Sequence, residues 1–104
     1  MIDKKVTVVA RILAKPGMGD VVKEALMKLV PLTRNEAGCF NYDLHRSADD
    51  PDLFMFYENW SSRKDLNEHL EMPYLKEFLG RAGEILAKPV EIIFWDMISD
   101  LGKS

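Results

Sequence analysis

A single cysteine, Cys39, stands among the 104 residues. No intramolecular disulfide can form, so packing alone must hold the fold, and a reducing compartment suits the chain best. Long apolar runs are missing as well. The opening stretch MIDKKVTVVARILA is broken by Arg11 and Lys15, which denies it the uninterrupted apolar core of a secretion signal. No run approaches the ~18 residues of a membrane helix. The expectation is a cytoplasmic protein with no membrane partner. Charge of one sign is lacking too: 17 acidic and 14 basic side chains are interspersed, for a formal net charge of −3. That pattern offers no basic footprint to nucleic acid or to an anionic lipid surface. Repeats, low-complexity segments and linkers are absent, so one domain over residues 1–104 is expected. Only two histidines occur, and no metal-ligand spacing surrounds either.

What is present is an ordinary globular composition, 47% hydrophobic and 30% charged, laid out in segments whose period changes. Residues 6–14, VTVVARILA, are β-branched and apolar on both alternating phases, the pattern of a strand covered on two sides. After the turn KPGMG, Val22, Ala25, Leu26, Leu29 and Val30 recur at three and four residues, one stripe of an amphipathic helix starting near Asp20. Pro31 has no amide hydrogen for the carbonyl four residues back, which kinks or ends that helix, and Gly38 is a natural stop. Residues 39–47 alternate, with Phe40, Tyr42 and Leu44 on one side and Asn41, Asp43 and His45 on the other. The turn ADDPD leads into an aromatic-rich strand over residues 53–60, completing a hairpin. Ser61 or Ser62 caps the next helix, Ser62 forming a weaker capping box with Asp65. Pro73 suits the first turn of a further helical piece that presents Tyr74, Leu75, Phe78, Leu79, Ala82, Ile85 and Leu86. Residues 90–98 form a last strand, apolar on both phases except for Glu91 and Asp96.

The order β-α-β-β-α-β predicts an α+β fold of the ferredoxin-like, split βαβ kind: a four-stranded antiparallel sheet with helices on one face. The other face of such a sheet should read polar. Here it does not, since Val9 and Leu13 share a phase with Thr7 and Arg11, and Ile93, Trp95 and Met97 stand opposite Ile92, Phe94 and Ile98. A second copy of the chain is the simplest cover, which predicts a homodimer packed through the open sheet faces.

Residues 35–70, NEAGCFNYDLHRSADDPDLFMFYENWSSRKDLNEHL, resemble the antibiotic biosynthesis monooxygenase family. The shared features are Glu36 and Gly38 before the second strand, Tyr42 within it, Asp50-Pro51 in the hairpin, then Glu58, Trp60 and His69 at their usual intervals. The similarity extends over roughly residues 6–97. It implies a dimeric α+β barrel, and an activity drawn from cofactor-free oxygenases of quinols and polyketide phenols, haem-degrading enzymes, or an isomerase of signal molecules. The haem-degrading branch carries an asparagine, a tryptophan and a haem-ligating histidine at positions that correspond here to Ala10, His69 and Leu79. The iron ligand is lacking, so that branch does not fit.

Triplet oxygen reacts sluggishly with closed-shell molecules, whereas a deprotonated phenol or hydroquinone is a far better electron donor. A cofactor-free oxygenase therefore needs a base that titrates near working pH, an apolar slot for flat rings, and hydrogen bonds that hold the anion. Histidine suits the first task, and His69 shares a helical face with Leu66 and Leu70 that should point toward the sheet. Glu58 shares the phase of Phe54, Phe56 and Trp60. A carboxylate on an apolar face needs a partner, and His69 is the expected one. His69 and Glu58 are thus the candidate catalytic groups, with Trp60, Asn59, Tyr42, Phe56, Tyr74 and Phe78 as candidate substrate contacts. Asn59 and Trp60 are strand neighbours and must face opposite sides, so both cannot line one slot without a bulge. Each residue also has a plainer reading: the aromatics as core, His69 as a satisfied half-buried histidine, Glu58 as an ion-pair member. His45 lies on the polar phase, which argues against a site of two histidines and one carboxylate for iron; no metal and no cofactor are expected. Cys39 reads as a buried, inert thiol. The expected function is oxidation of a quinol or polyphenolic small molecule by O2. The alternative is a non-oxidative member of the same fold, either a small-molecule isomerase or a dimeric ligand-binding or stress protein.

Overall fold

Alternation at period two and recurrence at three and four residues resolve into seven elements in the computed structural model, which describes residues 5–99. In chain order they are β1 (Val6–Leu13), α1 (Gly19–Arg34), β2 (Cys39–Arg46), β3 (Leu53–Trp60), α2 (Arg63–Leu70), α3 (Pro73–Ile85) and β4 (Glu91–Trp95). The strands form one antiparallel sheet in the order β2-β3-β1-β4, and the three helices cover one face of it. This is the ferredoxin-like α+β arrangement.

Pairing fixes which side chains meet. Val6 lies opposite Trp60, Val8 opposite Glu58, Ala10 opposite Phe56 and Ile12 opposite Phe54, so one phase of β1 and β3 points at the helices as a single apolar surface. Glu58 belongs to that phase and is carried into it. The stripe of α1, with Val22, Leu26 and Leu29 buried, closes over this surface, and Leu66, Leu75 and Phe78 from α2 and α3 complete the core. Ser62 caps α2 as its spacing requires, its hydroxyl accepting the Asp65 amide. Gly17 takes a left-handed φ of 80° in the turn before α1, a conformation open to glycine at little steric penalty. At Gly38 a Cβ would sit 2.3 Å from an Asp65 carboxylate oxygen, so the lack of a side chain there lets the start of α2 dock on the link into β2.

Four local expectations change. Pro31 sits inside α1, which continues to Arg34, because the buried stripe runs on to Thr33 while proline deletes only one backbone bond. Phe40 does not share a side with Tyr42 and Leu44. A register shift between Cys39 and Asn41 makes it the extra residue of a bulge, and it is 63% exposed. The first strand stops at Leu13, with Ala14 making an isolated bridge to Leu86. β4 ends at Trp95 rather than Ile98, since Trp95 already pairs with Thr7 near the start of β1. Among the described residues no helix is long and apolar enough to cross a membrane.

Candidate active site

Between the helices and the sheet lies a cavity of about 300 Å³. Its walls are apolar: Val8, Ala10 and Ile12 from β1, Phe56 from β3, Leu66 and Leu70 from α2, Phe78 and Leu79 from α3. Tyr42 and Phe56 form its aromatic floor, their rings stacked with centroids 4.2 Å apart. Ile92 and Phe94 of β4 also line it, and they and Leu79 are partly exposed, marking where the cavity opens outward. Two titratable side chains other than Tyr42 reach the lining, Glu58 and His69.

Glu58 is 5% exposed. Residues two apart on a strand share a face, and this brings the Trp60 indole N–H to 2.9 Å from Glu58 Oε1, to which it donates. Burial pushes the Glu58 carboxyl up to about 7, the indole bond opposing that rise and the nearby Glu36 charge adding to it. A carboxylate without a cation beside it, in a medium that solvates charge poorly, holds a proton far more tightly than an exposed one. The result is a carboxyl that exchanges its proton near neutral pH inside an apolar cavity.

His69 is 2% exposed. Its ring lies 4.7 Å from the Trp60 ring, centroid to centroid, and 5.5 Å from that of Tyr42. The expected pairing of His69 with Glu58 does not occur: Nδ1 of His69 lies 2.8 Å from Oε2 of Glu36. The indole two residues along β3 engages Glu58, while α2 turns the imidazole toward the link between α1 and β2, where Glu36 stands. Glu58 and His69 thus each have their own partner, and the two carboxylates do not compete for one ring.

The remaining candidates separate. Tyr42, Phe56 and Phe78 line the cavity, and burial raises the Tyr42 phenol above its ordinary range. Trp60 has no exposed surface; it stands behind the cavity wall, holding Glu58, with its ring tilted against that of His69. Tyr74 is a correction, since it does not line the slot but donates its hydroxyl to Glu36. Asn59 is another. It points to the opposite face of the sheet, accepts from Thr7 and donates to Asn41 at 2.8 Å, and its amide is consumed in a polar ladder there. His45 is exposed on that same face, 3.1 Å from the Asp43 carbonyl. Cys39 is half-buried, and burial pushes its thiol up to about 11, which leaves it un-ionised at neutral pH. Among the described residues no three His, Cys, Asp or Glu side chains converge as a metal site.

The model of the family described as antibiotic biosynthesis monooxygenase matches residues 5–81. The chain belongs to that family. The match takes in Glu36, Glu58, Trp60 and His69 and stops short of β4, so the cavity wall made by Ile92 and Phe94 lies outside it. The Mycobacterium tuberculosis protein "Putative monooxygenase Rv0793" is 36% identical over 87 residues, covering 84% of this chain and 85% of its own. Its solved structure aligns with a TM-score of 0.87 at 29% identity, over 95% of this chain and all (100%) of that one. The Escherichia coli protein "Probable quinol monooxygenase YgiN" is 28% identical over 98 residues, 84% of this chain and 94% of its own. The structure of PA3566 from Pseudomonas aeruginosa aligns with a TM-score of 0.89 at 29% identity, over 95% and 99% of the two chains.

Two features of the site, the carboxylate behind His69 and the wall from the last strand, were not singled out from the sequence. Glu36 was visible there only as part of the resemblance, and nothing local pairs it with His69, which is 33 residues away. Ile92 and Phe94 were readable as one phase of the last strand, but only its pairing with Ala10 and Val8 turns that phase toward the cavity.

Proposed function

We propose that this member of the family is a cofactor-independent monooxygenase that uses O2 to oxidise a quinol or polyphenolic ring bound between sheet and helices. The observation that carries the reading is Glu58, a carboxyl raised to about 7 within an otherwise apolar, aromatic-lined cavity. A flat ring stacked against Tyr42 and Phe56 would give a hydroxyl proton to Glu58. The resulting anion donates electrons to O2, which bonds to a ring carbon as a peroxide. Loss of water leaves the hydroxyquinone: quinol plus O2 gives hydroxyquinone plus H2O, with one oxygen atom retained in each product. His69, whose Nδ1 is occupied by Glu36, has Nε2 left to receive or return the second proton. The name of the E. coli relative supports the quinol class.

The same two proton-transfer groups would also suit enolisation of a hydroxy-ketone, the non-oxidative alternative. Oxygen uptake with reduced naphthoquinols and anthrone-like phenols, corrected for protein-free autoxidation, separates the two. Uptake above the control is expected. No uptake with any ring, together with exchange of a ketone's α-protons into deuterated water, would move the assignment to an isomerase.

Homodimerisation through the open sheet face belongs to the same proposal. On that face Tyr57, Ile93 and Trp95 leave apolar surface exposed, Trp95 as much as 57%, against the polar ladder of Thr7, Asn59 and Asn41. Trp95→Glu would place a carboxylate on that apolar surface, and one unpaired charge buried by association there should weaken it strongly. Sedimentation equilibrium is expected to show a dimer for the wild type and a monomer for the variant at micromolar concentration. A wild-type monomer across the range would refute the dimer.

A further inference from the structure

We infer that Glu36 is the positioning residue of the cavity histidine, fixing which ring nitrogen of His69 faces the reaction, and that Tyr74 in turn holds Glu36. This deepens the proposed function and rests on it for the kinetic consequence, but not for the structural one.

Three observations carry the inference. The first is convergence: a single oxygen, Oε2 of Glu36, receives both the Tyr74 hydroxyl and Nδ1 of His69, the latter at 2.8 Å. Tyr74 is the donor in its bond, and burial followed by the Glu36 bond itself keeps that phenol protonated. An oxygen that accepts from the phenol is an acceptor toward the imidazole as well, so Nδ1 carries its hydrogen toward Glu36, and in the neutral ring Nε2 is the nitrogen with the lone pair. The second is seclusion, since the His69 and Glu36 side chains are only 3% and 9% exposed. Water has little access to reorganise the pair, and a hydrogen bond to an ionised partner strengthens there. The third is a rigid mount. Glu36 stands in the short link between α1 and β2, its amide bonded to the Thr33 carbonyl at 3.0 Å and its carbonyl accepting from Cys39 at 3.1 Å. Beyond it lies an outer groove shared by Pro31, Asn35, Met72 and Tyr74, so Glu36 closes the cavity histidine off from the surface.

An imidazole free in water favours the hydrogen on Nε2, which would turn a donor rather than an acceptor toward the substrate. By imposing the opposite tautomer, Glu36 makes His69 able to receive a proton from the cavity, the logic by which a buried carboxylate orients a catalytic histidine.

The experiment is 15N-detected NMR of the full chain carrying 15N-histidine, with His45→Asn used to identify the His69 signals. For the wild type the inference expects a pyrrole-type Nδ1 and a pyridine-type Nε2. Glu36→Ala is expected to shift the signals toward the Nε2–H tautomer and to lower kcat at least about tenfold with KM little changed. Glu36→Gln, whose amide oxygen still accepts from Nδ1–H, is expected to restore the tautomer and part of kcat. If Glu36→Ala does not fold, Tyr74→Phe removes only the hydroxyl and is expected to move the tautomer balance in the same direction. An Nε2–H tautomer in the wild type, or signals unmoved in both variants, would overturn the inference. A tautomer that shifts while kcat holds would uphold Glu36 as the positioning residue and instead remove His69 from the proposed reaction.

Discussion

Glu58→Gln is expected to lower kcat/KM for a reduced naphthoquinol at pH 8 by at least about a hundredfold, the low end of what a lost general base removes. Glutamine keeps the size of the side chain, and its amide oxygen can still accept from the Trp60 indole that now holds Glu58 at 2.9 Å. What it cannot do is take a proton. Because the wild-type carboxyl sits near 7, the wild-type rate should rise through neutral pH as the base form accumulates, and the variant should lose that limb. Initial rates of oxygen uptake from pH 5.5 to 9, each corrected for autoxidation, check both features. A variant as fast as the wild type would remove Glu58 as the proton acceptor, whatever its titration.

The same carboxyl ties stability to pH. Folding raises it from an ordinary 4.5 to about 7, so the folded state binds that proton more tightly than the unfolded chain. The stabilisation is complete below 4.5 and disappears as pH rises through 7. At about 1.4 kcal/mol per pH unit between those limits, Glu58 should remove about 2 to 3 kcal/mol of stability between pH 5 and pH 8. Glu58→Gln cannot lose a proton and should be free of that decline. Other titrating groups are common to both proteins, so the difference between their urea unfolding energies at the two pH values isolates Glu58. Parallel profiles would show that the carboxyl is solvated in solution and no stronger a base than an exposed glutamate.

Both predictions concern a group whose face was readable before its surroundings were. Strict alternation puts Glu58 with Phe54, Phe56 and Trp60, and the helical stripe through Leu66, His69 and Leu70 turns the imidazole inward. The same arithmetic sets Asn59 on the far side from Trp60, where the polar ladder confirms it. Periodicity speaks only of neighbours along one element, however. The meeting of His69 with Glu36, and of Tyr74 with the same oxygen, depends on how α2 and α3 seat against the end of α1, and no spacing within a single segment encodes it. Glu58 found its partner two residues away on its own strand, a bond that alternation permits but does not demand. Phe40 escaped its phase through a one-residue bulge, which shifts every side-chain assignment before it relative to those after it. The resemblance carried the family and marked Glu36, and the geometry then showed that it bonds to His69 and Tyr74.

Purified protein supplied with a reduced naphthoquinol under 18O2, with oxygen uptake, peroxide and product mass followed together, tests oxygenation at this cavity. The expected result is one O2 consumed per quinol, one labelled oxygen in the hydroxyquinone, no accumulation of peroxide, and loss of all of this in Glu58→Gln. Uptake no faster than in the protein-free control, or an unlabelled quinone formed with one peroxide per O2, would contradict it.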